Sequence, residues 1–160
     1  MLKTIPRHWF TWNCKVLEND TPVASIEFAA WAEAGEIIIH GSRYRVYREF
    51  PYSRKFFLEE NGQQIAWAEK PSVFRVFDVK YTQIEYELKA ESIFKNFILQ
   101  QDRQIIGSIN PENPFTRRTS VDLPESLPLV VRLFMVWLVL NLRRRQSRRA
   151  NAANTRSACN

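Results

Sequence analysis

Between residues 8 and 122, apolar and polar side chains alternate in short runs, the period-two pattern of half-buried strands. The runs fall at 8–16, 22–31, 36–40, 43–49, 55–60, 63–70, 73–79, 83–89, 95–101, 103–109 and 116–122. In the first, Phe10, Trp12, Cys14 and Val16 share a face. In 83–89, Ile84, Tyr86 and Leu88 alternate with Glu85, Glu87 and Lys89, as expected of a strand with one wet face. Asn61-Gly62 between two such runs suits a type I′ hairpin turn, where both central residues need positive φ. Asp102-Arg103 marks another hairpin. Residues 56–66 and 97–107 resemble each other at an offset of 41 residues. Two readings stay open: a repeated hairpin unit, or the ordinary likeness of any two hairpins.

The pattern then changes. Residues 127–142 read LPLVVRLFMVWLVLNL, broken only by Pro128, Arg132 and Asn141. Glu125, Ser126 and the early Pro128 suit a helix start, and Arg143 to Arg145 suit its C-terminal end. A helix apolar on every side must be wrapped by protein or lipid. A membrane span needs roughly 20 apolar residues, and this run is shorter and carries Arg132. An anchor that left the body in the cytosol would also carry the arginine tail across the bilayer, against the positive-inside bias. A barrel fits better. A helix with its side chains is about 10–12 Å across, and barrels of about eleven strands have room for one. The expected fold is therefore mainly β: an antiparallel barrel of eleven to twelve strands around a C-terminal helix at about 125–145. It forms a single domain over 1–145, followed by a basic tail at 146–160 expected to be disordered.

Charge sharpens this. The net charge is +6, yet the first 142 residues hold 17 basic and 17 acidic side chains. The excess lies in Arg143, Arg144, Arg145, Arg148, Arg149 and Arg156, with no acid among them. A neutral body with a basic end fits an anionic membrane surface better than a nucleic-acid groove. Two cysteines, Cys14 and Cys159, make no disulfide framework, and the N-terminus shows no signal-peptide pattern. A cytoplasmic location, peripheral at the inner face of the membrane, is expected.

Tyr44-Arg45-Val46-Tyr47, the stretch Phe57–Ala66, Phe97-Ile98-Leu99 with residues 104–109, and the helix 129–140 together resemble the tubby C-terminal-like superfamily. That group includes tubby domains, phospholipid scramblases and LURP-one-related proteins. The compact form, without a further domain, is similar to a bacterial member. The resemblance implies a β-barrel around a hydrophobic helix, and contact with membrane phospholipid as the family theme. No phosphoinositide motif of tubby domains aligns residue by residue.

No residue pattern points to catalysis. His8 and His40 lack metal-ligand spacing, and Ser108 lacks a nucleophile elbow. Glu85 and Glu87 read as a solvated strand face, and Cys14 and most of the five tryptophans as core. No enzymatic activity, cofactor or metal is expected. The candidate anion-binding residues are Arg43, Arg45 and Arg48, the pair Arg117 and Arg118, and the C-terminal Arg143, Arg144, Arg145, Arg148 and Arg149. The functional expectation is a non-enzymatic barrel bound peripherally to anionic phospholipid. Two alternatives stay open: a structural or protein-interaction domain whose protein partner is unknown, and a membrane protein anchored by 127–142.

Overall fold

A computed structural model describes residues 1–71, 74–91 and 96–158. The mainly β fold expected from the sequence forms: twelve antiparallel strands close into a barrel around one helix. The strands are β1 (Leu2–Pro6), β2 (Cys14–Glu18), β3 (Thr21–Phe28), β4 (Ala34–Ile39), β5 (Ser42–Arg48) and β6 (Lys55–Glu60). They continue as β7 (Gln63–Glu69), β8 (Val76–Tyr81), β9 (Ile84–Ala90), β10 (Phe97–Gln101), β11 (Gln104–Pro111) and β12 (Thr119–Asp122). Every strand pairs with its sequence neighbours, and β12 pairs with β1, Leu2 opposite Val121, to close the barrel.

Alternation sets the inner wall. Val16, Ile26, Ile37, Val46, Leu58 and Val79 are among the wall residues with no exposure. Against them runs α1 (Leu129–Ala158), in which every residue from Leu133 to Leu140 is buried. The all-round apolarity of that segment is thus satisfied by strands on every side. No helix among the described residues is long and apolar enough to cross a membrane. Trp137 packs edge-on against Phe56 at 6.1 Å and stacks on Phe134 at 6.2 Å.

The antiparallel order sorts the connections by end. The two-residue turns 19–20, 40–41, 61–62, 82–83 and 102–103 all lie at one end. At four of them, Asn19-Asp20, His40-Gly41, Asn61-Gly62 and Asp102-Arg103, both central residues have positive φ, as type I′ hairpins require. The longer connections, among them 7–13, 29–33, 49–54, 70–75 and 112–118, lie at the other end. β12 runs toward the hairpin end, so α1 enters there and leaves through the long-loop end, called the mouth below. Arg132, in the first turn of α1, lies at the hairpin end.

The two segments alike in sequence are the hairpins β6–β7 and β10–β11, and each has a bulge at the same place, after Leu58 and after Leu99. The hairpin β2–β3 has its bulge after Val16, one residue off that spacing. Bulged hairpins thus recur at four-strand intervals around the barrel, the stronger twist at each bulge aiding closure.

Several expectations are corrected. β1 was not expected, and residues 8–13 form a loop in place of the first half of a strand. The helix starts at Leu129 and continues to Ala158, so residues 146–158 are helical rather than disordered. Val73 and Lys95, expected to open strands, and Cys159 lie outside the described residues.

Candidate functional site

The chemistry-bearing residues gather at the mouth, where α1 leaves the barrel. Strand parity decides which side chains arrive there. Arg43 and Arg45 share the outward face of β5. Arg43 pairs with Glu36 at 2.5 Å, and Arg45 lies over the Tyr47 ring at 4.3 Å. Arg48, one odd step further along, falls on the inner face at the mouth and is half-buried. The expected cluster of Arg43, Arg45 and Arg48 is therefore split between wall and mouth.

Glu33, in the β3–β4 loop, is the hub of the mouth. Its Oε2 accepts from Arg48, and its Oε1 accepts from both Arg145 and Asn141, the Arg145 Nε bond being 2.9 Å and the Asn141 bond 3.0 Å. Burial works against the ionised carboxyl. The hydrogen bonds and charges of Arg145, then Arg48, outweigh it and hold Glu33 below its ordinary value.

The C-terminal arginines do not form a loose tail. Arg144 donates to the carbonyls of Ala29 at 2.5 Å and Ala30 at 3.0 Å and lies over Phe28. Arg148 donates to the Ala30 carbonyl at 2.7 Å. Arg143 donates to Thr119 Oγ1 at 3.0 Å, and burial pushes its guanidinium down to about 10, still cationic at neutral pH. These contacts tie the emerging helix to the β3–β4 loop and to β12.

Two cavities flank the helix exit. The larger, about 780 Å³, opens between α1 and the loops on either side of β12 and β1. Leu140, Trp12, Phe115, Arg117 and Arg143 are among its lining residues. Arg117 donates to the Thr11 carbonyl at 2.6 Å and lies over the Trp12 ring at 4.8 Å, while its neighbour Arg118 is exposed outside the cavity. The smaller, about 220 Å³, lies between α1, the β5–β6 loop and the end of β7. Arg48, Arg54, Lys70, Arg145 and Arg149 line it together with Tyr52, and among the described residues no carboxylate does. Lys70 is held below its ordinary value by burial first and then by the charges of Arg145, Arg48, Arg149 and Arg54. Of these five cations, Arg54 is not among the candidate residues named from the sequence, and neither is Lys70. Its only signal is its place at the end of a run, just before Pro71.

The same end carries the exposed aromatics. Trp9, Phe10, Trp31, Phe50, Tyr52, Phe74 and Phe115 are the exposed large aromatic side chains among the described residues, and all sit in mouth loops. Trp31 is 96% exposed and Trp9 85%, which corrects their reading as core; of the five tryptophans only Trp137 is buried. Charge follows the same axis. The mouth loops bring Arg7, Arg54, Lys70, Arg75, Arg117 and Arg118 against Glu33, Glu49, Glu91 and Glu112, with the helix arginines added. The hairpin-end connections carry Asp20, Asp102 and Glu125 against Arg103.

A third cavity, about 170 Å³, lies away from the mouth and is lined by Asp78, Glu85, Glu87 and Asp102 together with Arg103. Glu85 and Glu87 lie on the outer wall near Lys80 and Lys89, at 4.0 and 3.1 Å. His40 occupies a hairpin turn with φ 47°. Among the described residues no group of His, Cys, Asp and Glu is placed to hold a metal ion.

The fold and site together define a closed twelve-stranded barrel threaded by a helix, with a basic, aromatic mouth. No family model matches the chain, and no curated protein or solved structure is significantly similar to it.

Proposed function

We propose that the protein is a tubby-like barrel module that associates peripherally with anionic phospholipid through its mouth. The observation that carries this reading is that every exposed Trp, Phe and Tyr among the described residues lies at the end where the arginine-rich helix emerges. Aromatic rings with a polar edge settle at membrane interfaces. Each basic residue near an anionic bilayer contributes roughly 1 kcal/mol. The helix continues, exposed, from Ala150 to Ala158, about 12 Å at 1.5 Å per residue. The barrel therefore meets the surface tilted, with one sector of the rim down. The sector formed by the first three mouth loops suits this best, for it bears Trp9, Phe10, Trp31, Phe50 and Tyr52 and adjoins the smaller cationic cavity.

The test is flotation of the full-length protein with phosphatidylcholine vesicles, with and without phosphatidylserine, at low and high salt. Binding that needs phosphatidylserine, falls in high salt and weakens in Trp9→Ala/Trp31→Ala is expected. Ending the chain at Leu142 is a poor probe, because Arg144 and Arg145 hold the helix in place. Arg148→Gln/Arg149→Gln is the better one. Absence of binding at low salt would sink this reading. Exposed Trp, Tyr and Arg are also the side chains that anchor protein interfaces, and capture of a discrete protein partner would then take its place.

A further inference from the structure

We propose that the smaller mouth cavity is a binding site for a phosphate monoester group, held by Arg48, Arg54, Lys70, Arg145 and Arg149. The cavity of about 220 Å³ is compact, and five cationic side chains from four separate segments converge on it. Glu33, set behind the lining, is the carboxylate bonded to two of them, Arg48 and Arg145. One carboxylate against five cations leaves a strongly positive pocket inside a partly desolvated mouth, where the field of each charge is poorly screened.

The guanidinium groups are also fixed in direction. Arg48 commits Nε to the Ser53 carbonyl at 2.6 Å and Nη1 to Glu33, leaving Nη2 for a ligand. Arg54 commits Nη1 to the Pro71 carbonyl at 2.9 Å. Among the described residues no acidic group pairs with Arg149. Planar guanidinium forks match the oxygens of phosphate, and a lysine adds a point charge. A carboxylate ligand carries a single charge and would offset little of this positive excess. A dianionic tetrahedral group offsets twice as much and presents several oxygens to the guanidinium forks. The loop that closes the site is strained in keeping with such a role. Tyr52 is 92% exposed at φ 72°, a left-handed conformation rare for a bulky side chain, and it lines the cavity.

The phosphate could belong to a soluble phosphorylated molecule or to a lipid headgroup. In the lipid case the inference rests on the membrane reading above; with soluble phosphate it stands without it. The first arm titrates the full-length protein with inorganic phosphate at constant ionic strength, with chloride as the control, and follows the thermal unfolding midpoint and binding heat. A rise in the midpoint with phosphate alone is expected. Affinity is expected to fall at least tenfold in Lys70→Gln/Arg149→Gln and to stay unchanged in Arg43→Gln on the outer wall. Arg149→Gln alone, at an exposed helix position, serves if the double variant unfolds. The second arm compares vesicles carrying phosphatidic acid, a monoester, with vesicles carrying phosphatidylglycerol, a diester. A preference for phosphatidic acid that the double variant loses assigns the site to a headgroup. Phosphate binding without vesicle binding keeps the site and overturns the membrane reading. Vesicle binding with neither a phosphate response nor a monoester preference overturns the site alone.

Discussion

Replacing Glu33 by Gln separates the two duties of the mouth, because it is expected to move stability and anion affinity in opposite directions. The Glu33 carboxylate accepts hydrogen bonds from Arg48, Arg145 and Asn141, and its side chain is 23% exposed. Hydrogen bonds to charged groups contribute about 1.5–3 kcal/mol each. Breaking a buried pair from one side costs about 3–5 kcal/mol. A site open to water on one side, with a Gln carbonyl still able to accept one bond, falls lower, at about 2–3 kcal/mol. For a chain of this length that is a drop in the unfolding midpoint of roughly 4–12 °C, at about 2–4 °C per kcal/mol.

The pH dependence gives the sign. Glu33 is held below its ordinary value of 4.5, so its contribution is fully present above that value. It is lost as pH falls through the lower native value. The gap between wild type and Glu33→Gln should therefore be full at neutral pH, start to close below pH 4.5 and be small once the carboxyl is protonated. Thermal unfolding of both proteins across that range by circular dichroism measures it. Phosphate affinity at neutral pH should meanwhile rise severalfold, since Arg48 and Arg145 lose their competing anion. A gap independent of pH, or a variant as stable as wild type at neutral pH, would refute the reasoning that Glu33 latches the helix.

Two further outcomes test the barrel itself. A Cβ at Gly35 would lie 2.1 Å from the Glu27 carbonyl oxygen and 3.3 Å from Trp137 Nε1. Gly35→Ala must therefore push β3 from β4, costing about 1–3 kcal/mol or more. Gly41→Ala, at φ 85° with nothing nearby, costs only about 1 kcal/mol from backbone conformation; a denaturant titration placing Gly41→Ala below Gly35→Ala would contradict this. Burial pushes the Cys14 thiol up to about 12. In a Cys159→Ser background it should resist iodoacetamide at mildly alkaline pH until the protein is unfolded. Native labelling at the unfolded rate would show that the inner wall opens.

Much of the fold was legible because the hairpins announce themselves. Asn61-Gly62 and Asp102-Arg103 mark turns whose backbone demands positive φ, and the flanking alternation fixes which face turns inward. The first strand was not legible. Its inward residues are Leu2 and Thr4, so one buried position is polar, while Ile5 is only half-buried; the alternation that marks a strand is absent. In the loop that follows, Phe10 and Trp12 imitate alternation although Phe10 is exposed. The helix beyond Arg145 was hidden for a different reason: apart from four alanines its residues are polar, and with nothing to bury it shows no period. The smaller cavity was the least legible feature. Arg48, Arg54, Lys70, Arg145 and Arg149 come together because strand ends and the helix exit meet there, a juxtaposition no local spacing encodes. Only one part could be read in advance: parity along β5 already sets Arg48 apart from Arg43 and Arg45.

The two ends of the barrel answer to different demands, and that difference is why the mouth is the place to look for function. The hairpin end is joined by two-residue turns, which hold strands in register and leave little backbone to shape a site. The mouth has long loops, strained backbone at Tyr52, and cations that repel one another. Such features persist only where the surrounding structure over-determines them. Here that support comes from the helix: Arg144 and Arg148 bind loop carbonyls, and Arg145 binds Glu33. Arg145 also lines the cationic cavity, so the residue that seats the helix is one that an anion would touch. Filling the cavity should therefore tighten the helix in the barrel, and emptying it should loosen the mouth first while the hairpin end stays closed. Hydrogen exchange with and without phosphate reads this directly, with protection gained at 29–33 and 143–149 and none at the hairpin turns.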